Sequence, residues 1–183
     1  MKIRAEKAIC DHARSSHDLY ILNMFLFNLT SVVGILAYTI GGFVWILVGV
    51  AVALLISFGI LGYIWNRSAT MGLDTPWLVM IHWKLTVSRS KLLLIGYAIS
   101  ASIISIGVVS ASGMDDITMQ NIMHTIFIRV GIVPALALIL VTIILEGQAM
   151  HLANNGIAPA SLVKKFPPPA DVSVLDEHNE TGE

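Results

Sequence analysis

The sequence predicts an all-α, multi-pass integral membrane protein with four transmembrane helices. Three observations lead to this prediction: four long apolar segments, a low share of charged residues, and positive charges that collect beside the same ends of those segments. Of the 183 residues, 56% are hydrophobic and 13% are charged. In ordinary soluble domains about a quarter of the residues are charged. The mean hydropathy of +0.79 also indicates a membrane protein.

The four apolar segments define the predicted spans. They cover residues 19–40, 43–64, 92–112 and 126–145. Each is long enough to cross about 30 Å of hydrocarbon as a helix, because a helix rises about 1.5 Å per residue. The segments are too long for transmembrane strands and lack the alternation of apolar and polar residues that such strands show. Helices are therefore expected in all four.

The distribution of positive charge predicts the orientation. If the chain begins in the cytoplasm and crosses four times, all but one of its eleven Lys and Arg residues lie on the cytoplasmic side, Arg129 being the exception. Cytoplasmic flanks of transmembrane helices carry such an excess of positive charge. The N-in/C-in topology then consists of a basic cytoplasmic N-terminus (1–18), a transmembrane domain (19–158) with a cytoplasmic loop at 66–91, and a cytoplasmic tail (159–183).

The first span is expected to be retained and to pair with the second. The apolar run that follows residues 1–18 is longer than the hydrophobic core of a signal peptide. Gly41 and Gly42 separate the first two apolar segments. Such a short connection makes consecutive helices antiparallel neighbours.

The cytoplasmic loop is expected to contain a helix that runs into the third span. Thr75 can act as an N-cap, and Pro76 suits the first position of a helix. A helix from Pro76 to Ser112 is longer than the bilayer requires. Either the third helix extends into the cytoplasm, or residues 77–90 form an interfacial helix whose tryptophans contact lipid.

Ionisable residues are expected at the ends of the fourth span rather than in the interior of the bundle. Long charged side chains near helix ends can reach the interface. Arg129 is expected to pair with Asp115 or Asp116, and Glu146 with a cytoplasmic cation, Lys91 or Arg14. The absence of a charge in the middle of any span argues against an ion or proton relay.

The C-terminal tail, residues 159–183, is expected to be disordered. It combines three consecutive prolines with five acidic residues from Asp171 onward. Segments with little apolar surface cannot offset the entropy lost on ordering. The prolines predict a short extended spacer.

Small residues recur every four positions in the second and third spans. This spacing lets helix backbones approach closely, and serine can also form hydrogen bonds across the contact. The pattern fits packing within the chain and docking to a partner helix equally well. The residues are Gly49, Ala53, Ser57, Gly96, Ser100, Ala101 and Ser105.

Three histidines near predicted cytoplasmic helix ends are candidate cofactor ligands. Two neutral imidazoles from different helices can hold a b-type haem by its axial positions. The candidates are His17, His82 and His151, although a solvated interfacial histidine is the simpler interpretation of each. Motifs for catalysis, phosphate binding or metal binding are absent from the sequence, so no enzyme and no other cofactor is expected.

These observations favour a non-enzymatic accessory or scaffold subunit of a larger bacterial inner-membrane complex, of secretion, conjugation or respiratory type. The expected partners are other membrane subunits or further copies of the chain, and anionic lipid at the cytoplasmic face. Nucleic acid is not expected, because the cations flank membrane helices rather than a soluble surface. Two alternatives stay open: a haem-binding electron-transfer anchor, and a small oligomeric carrier or channel for a neutral solute.

Overall fold

Long helices dominate the computed structural model, which describes residues 1–41, 44–72, 74–170 and 172–175. The predicted all-α class is confirmed. Four helical stretches among these residues are long and apolar enough to cross a membrane, as expected of a multi-pass membrane protein. The elements in chain order are β1 (Lys2–Ile3), α1 (Lys7–Asn23), a π-helical segment (Met24–Leu29), α2 (Thr30–Gly41), α3 (Val44–Thr70), α4 (Trp77–Ser112), α5 (Ile117–Asn154), α6 (Ala160–Val163) and β2 (Val174–Leu175).

The helices continue well beyond the apolar segments that predict them. α4 has 36 residues and α5 has 38, whereas about 20 suffice to cross the hydrocarbon. α4 begins at Trp77, directly after the predicted start signal, and the Met80 N–H donates to the Pro76 carbonyl at 3.2 Å. Of the two arrangements predicted before the third span, the continuous extension of the helix is the one observed.

The described chain forms two compact units. The first comprises Met1–Leu22, Ile60–Arg89 and Ile144–Glu183, and the second comprises Asn23–Gly59 and Ser90–Ile143. Every Lys and Arg belongs to the first unit except two, Lys91 and Arg129. Most of the large exposed apolar side chains belong to the second unit. The second unit therefore has the surface expected of a lipid-embedded body.

In the first unit, the start of α4 packs inside protein rather than against lipid. Trp77 is 7% exposed and Trp83 is 6% exposed. The Trp77 indole N–H donates to the Phe166 carbonyl at 3.1 Å, and the Trp83 ring meets Tyr63 edge-on with centroids 6.1 Å apart. The prediction of an interfacial helix with lipid-facing tryptophans is therefore wrong.

The terminal segments of the first unit pack together. β1 and β2 pair antiparallel, with Lys2 opposite Leu175, and the Ala158 N–H donates to the Met1 carbonyl at 2.9 Å. Leu162 in α6 is only 8% exposed. The prediction of a disordered tail is therefore wrong for residues 159–170 and 172–175, which include α6 and β2. Residue 171 and residues 176–183 lie outside the described part.

In the second unit, α4 and α5 approach closely at glycines. A Cβ atom at Gly96 would lie 3.2 Å from the Leu138 Cβ atom. A Cβ atom at Gly107 would lie only 2.1 Å from the Phe127 Cβ atom. Such contacts require a residue without a side chain, since small residues at a helix interface set how near two backbones come.

The proline inside α5 is accommodated by a serine of α4. Pro134 lacks a backbone N–H, and its ring disturbs the hydrogen bonding of the preceding turn. The N–H of the next residue, Ala135, donates to the Ser100 Oγ atom at 3.0 Å. Side-chain hydroxyls satisfy backbone groups beside prolines in this way in membrane helices. Ser100 therefore supports contact within the chain.

Arg129 contacts α2 instead of a neighbouring aspartate. Its guanidinium donates to the Thr39 carbonyl at 3.1 Å and to the Thr39 hydroxyl at 3.2 Å. Thr39 lies in the last turn of α2, where unpaired carbonyls attract cations. Asp116 caps α5 by accepting from the Thr118 N–H at 2.8 Å. The predicted pairing of Arg129 with Asp115 or Asp116 is therefore not the observed one.

Gly156 ends α5 and directs the chain back toward the N-terminus. It has a φ angle of +64°, and the Ile157 N–H donates to the Leu152 carbonyl at 2.9 Å. The Gly156 N–H donates to the Ala153 carbonyl at 3.1 Å, which completes a Schellman motif. A Cβ atom at Gly156 would lie 3.0 Å from the Ile3 carbonyl oxygen. Both the φ angle and this close approach favour glycine.

We expect Gly156→Ala to lower the free energy of unfolding by more than about 1 kcal/mol, because alanine is strained at positive φ. The control is Gly147→Ala in the same helix, where the structure describes no atom within 4 Å of an added Cβ. Alanine there should stabilise by up to about 1 kcal/mol through helix propensity. Thermal unfolding in detergent, followed by circular dichroism, measures both. Shifts of the same sign and size would contradict the assignment of Gly156 as the helix cap.

Candidate functional site

A chain of buried polar side chains crosses the first unit. His17 on α1, His82 on α4 and Glu146 on α5 are each 0% exposed. The His17 Nδ1 atom lies 2.5 Å from Glu146 Oε2, and His17 Nε2 lies 2.9 Å from His82 Nδ1. His82 Nε2 lies 3.2 Å from the Ile157 carbonyl oxygen. These three side chains, named the polar row below, join three helices to the segment after α5.

Helical periodicity brings the members of the polar row to the inner faces of their helices. Ala13, four residues before His17, is also fully buried. Ala149 and Ala153 follow Glu146 on the same face of α5, and both are fully buried. Residues three and four apart share one face of a helix. The alanines leave space for the helices to approach, so the longer polar side chains can meet.

Two further side chains of α4 contact the polar row. Arg89 Nη1 lies 3.5 Å from Glu146 Oε1 and also donates to the Leu145 carbonyl. The Thr86 hydroxyl lies 3.1 Å from His17 Nδ1. The buried carboxylate therefore has one partner at each oxygen. Such pairing offsets the cost of removing a charge from water.

The predicted partners of Glu146 are wrong. Glu146 contacts His17 and Arg89 instead of Lys91 or Arg14. Arg14 pairs with Asp18 on the exposed face of α1, at 3.1 Å. Glu146 is fully buried, so the expectation that ionisable groups avoid the interior of the bundle is wrong for this residue.

The three candidate histidines do not form one group. The expectation that they are solvated is wrong for His17 and His82, which are fully buried and in contact with each other. It holds for His151, which is exposed and next to Asn155 on the last turn of α5. The structure therefore brings together two of the three residues that the sequence singled out.

The geometry of His17 and His82 does not fit a haem between them. Their facing nitrogens are 2.9 Å apart, which leaves no room for a porphyrin, and their other ring nitrogens face Glu146 and the Ile157 carbonyl. In the described part of the chain, no three His, Cys, Asp or Glu residues are grouped to hold a metal ion. Haem binding stays a prediction, which an absorption spectrum of the purified protein tests by the presence or absence of a Soret band.

The second unit contains a separate polar cluster beside the π-helical segment. Asn28 Nδ2 donates to Ser57 Oγ at 3.0 Å and to the Asn23 carbonyl at 2.8 Å, and the Tyr97 hydroxyl donates to Asn28 Oδ1. The side-chain amide of Asn23 is fully buried and has no hydrogen-bond partner among the described residues. Such an orphaned amide costs about 1–3 kcal/mol. π-Helical segments frequently occur at functional sites.

The predicted small-residue positions divide between the interior and the surface. Burial places one group inside the chain and another on the outward faces of α3 and α4, where lipid or a partner helix can reach it. Ser57, Gly96 and Ser100 are buried, Ala53 is half-buried, and Gly49, Ala101 and Ser105 are exposed.

A cavity of about 750 Å³ lies in the first unit, between the N-terminal segment, the start of α4 and the tail. Its lining is mainly apolar and includes Ile3, Ile9, Trp77 and Met80. Its volume is in the range of small-molecule pockets. No member of the polar row lines it. The row is therefore enclosed by protein and is not part of this cavity.

No protein-family model, curated protein or solved structure matches this chain.

Proposed function

We propose that this chain is a non-enzymatic accessory subunit of a larger membrane complex, held there by contacts between its helices and those of other subunits. The observation that supports this is a patch of small side chains on the outward face of α4. Ala98, Ala101, Ser102 and Ser105 are all exposed and are spaced three or four residues apart. Residues with this spacing form one continuous surface on a helix.

Small side chains suit a helix contact better than a lipid contact. Packing and hydrogen bonds, rather than hydrophobic burial, drive helix association in membranes, and small residues let backbones approach. The inner face of α4 shows such packing within this chain, since Gly96 lies against Ala135 and Leu138 of α5. The outward patch offers the same kind of surface to a helix of another subunit.

The first unit gives such a subunit a folded body that contains nine of the chain's eleven Lys and Arg residues. Its N-terminal and C-terminal segments are tied together by β1, β2 and the Ala158 hydrogen bond. Exposed cations such as Arg67, Lys164 and Lys165 lie on its surface. In the proposed N-in/C-in topology this body lies on the cytoplasmic side of a bacterial inner membrane. Each cation near an anionic lipid surface adds about 1 kcal/mol of attraction.

We expect Ala101→Leu and Ser105→Leu to reduce the partner content of the purified complex by about tenfold or more. Overpacking a close helix contact costs about 1–3 kcal/mol, and about 1.4 kcal/mol is a factor of ten in an equilibrium constant. The measurement is the stoichiometry of co-purifying chains after extraction in mild detergent. Thermal unfolding of the separated chain should be unchanged, because both side chains are exposed.

The matched control is Ile99→Phe, which enlarges a side chain of α4 that is 44% exposed. Ile99 lies about 100° round the helix from Ala98, outside the small-residue face, so partner content should not change. Gly96→Leu and Ser100→Leu do not test the proposal, because these residues pack against α5 within the chain. Unchanged partner content in both Ala101→Leu and Ser105→Leu would contradict docking through this face.

A small carrier for a neutral polar solute is the second candidate. The observation that favours it is the buried, unpartnered amide of Asn23, which a polar molecule inside the second unit would satisfy. The same extraction distinguishes the two functions. A carrier of this kind would purify as a particle of one or a few copies of the 19.8 kDa chain.

A further inference from the structure

We propose that Glu146, His17 and His82 form a buried binding site for one proton. The row holds one proton more than an ionised carboxylate and two neutral imidazoles carry together. The site lies wholly within the first unit and is independent of the accessory-subunit proposal.

At one end of the row, a backbone partner fixes the position of one proton. A backbone carbonyl only accepts hydrogen bonds, so His82 Nε2, 3.2 Å from the Ile157 oxygen, carries a proton. Two hydrogen bonds remain: one joins His82 Nδ1 to His17 Nε2 at 2.9 Å, and the other joins His17 Nδ1 to Glu146 Oε2 at 2.5 Å. A hydrogen bond contains one proton, whichever of its two atoms carries it.

The three hydrogen bonds therefore require three protons, whatever their positions. An ionised carboxylate carries none and a neutral imidazole carries one. With Glu146 ionised and both histidines neutral, the row would hold two protons, and one of its three contacts would consist of two facing lone pairs. The third proton can rest on Glu146, His17 or His82 without breaking any bond of the row.

The contacts around the row place this proton on His17. There it forms an imidazolium against the Glu146 carboxylate at 2.5 Å, a charge-assisted bond, which is stronger than a neutral one. Arg89 lies at the other carboxylate oxygen, 3.5 Å away. Arg89 is the permanently charged group that contacts the row within the described chain; α4 also adds the Thr86 hydroxyl, which bonds Ser16 of α1, and the segment after α5 adds the Ile157 carbonyl.

Occupancy of this site is coupled to the packing of the first unit. If the third proton leaves, two lone pairs face each other; if a fourth binds at one of the atoms joined by these bonds, two hydrogens do. Either change breaks a bond that connects α1, α4, α5 or the Ile157 segment. The residue before Ile157 bonds β1, because the Ile3 N–H donates to the Gly156 carbonyl at 3.0 Å. The row is therefore linked through this segment to the N-terminal strand.

The test counts these protons in the full chain, labelled with ¹⁵N-histidine in detergent at neutral pH. Nuclear magnetic resonance distinguishes protonated from bare ring nitrogens. We expect His17 to carry protons on both ring nitrogens and His82 on Nε2 alone. Single His17→Asn and His82→Asn variants assign the signals. His12 and His151, which are exposed, serve as internal references for ordinary histidines.

Glu146→Gln sharpens the test. A glutamine amide can donate to His17 Nδ1, so every bond of the row is then satisfied with two neutral histidines. The His17 imidazolium should therefore disappear in Glu146→Gln and persist in Glu6→Gln, which changes an exposed carboxylate. If the third proton rests on Glu146 instead, wild-type His17 is neutral, and infrared spectra show a carboxylic acid band that Glu146→Gln removes; this also supports the site. Neutral His17 and His82 beside an ionised Glu146 in the wild type would overturn it, even if the glutamine variant fails to fold.

Discussion

Glu146→Ala is expected to lower the free energy of unfolding by about 3–5 kcal/mol, the range found when one partner of a buried ion pair is removed. Glu146 is fully buried, and its removal leaves the His17 ring and the Arg89 guanidinium without their acceptor. The bond between His17 and α5 is then lost from the row. Thermal unfolding of the detergent-solubilised chain, followed by circular dichroism, measures the effect.

Asp18→Ala is the matched control for this prediction. Asp18 pairs with Arg14 on the exposed face of α1, and both side chains are more than 40% exposed. Exposed ion pairs contribute about 0–1 kcal/mol. A loss of stability in Glu146→Ala no larger than that in Asp18→Ala would show that the polar row does not hold the first unit together.

Gly107→Ala is expected to destabilise the second unit by about 1–3 kcal/mol, the usual cost of overpacking. The added methyl group would lie 2.1 Å from the Phe127 Cβ atom and 2.2 Å from its Cγ atom. These atoms are next to the backbone of α5, so they cannot move aside unless the helix moves. The same thermal unfolding experiment measures this change.

The control for this change is Gly49→Ala on α3. Gly49 is exposed, and the described chain places no atom within 4 Å of an added Cβ at that position. Alanine should there be neutral or stabilising, by up to about 1 kcal/mol, through helix propensity. Equal losses at Gly49 and Gly107 would contradict the close contact between α4 and α5.

The membrane helices were predictable because the bilayer imposes a simple requirement. About 20 consecutive apolar residues are needed to cross it as a helix, and that signal stands in the sequence without tertiary information. The start of α4 was also predictable, because the Thr75-Pro76 signal acts locally. The end of α5 also has a local signal in the sequence, because Asn155 and Gly156 directly follow it and such residues commonly end helices.

The polar row was not predictable, since it depends on long-range packing. His17 is separated from His82 by 65 residues and from Glu146 by 129. The sequence drew attention to both histidines and to Glu146 but placed them at helix ends facing water. Because the helices continue beyond the apolar segments, these side chains enter the interior of the first unit instead. No local pattern indicates which of the polar residues beside an apolar segment become buried.

The small-residue pattern was predictable in spacing but not in direction. One residue advances a helix by about 100°, so each step of four residues drifts by about 40°. Over the two steps from Gly49 to Ser57 the pattern turns from an exposed face of α3 to a buried one, where Ser57 bonds Asn28. On α4, the pair Gly96 and Ser100 is buried and the pair Ala101 and Ser105 is exposed, although both pairs have the same spacing. A spacing rule alone cannot distinguish internal packing from a docking surface.

The most direct test of the accessory-subunit proposal is the native mass of the wild-type protein extracted from its own membrane in mild detergent, with every co-purifying chain identified and quantified. The proposal predicts a particle that contains other membrane subunits in constant proportion to this chain, and that loses them in Ala101→Leu. A bare particle at one or a few multiples of 19.8 kDa would contradict it and favour an autonomous carrier.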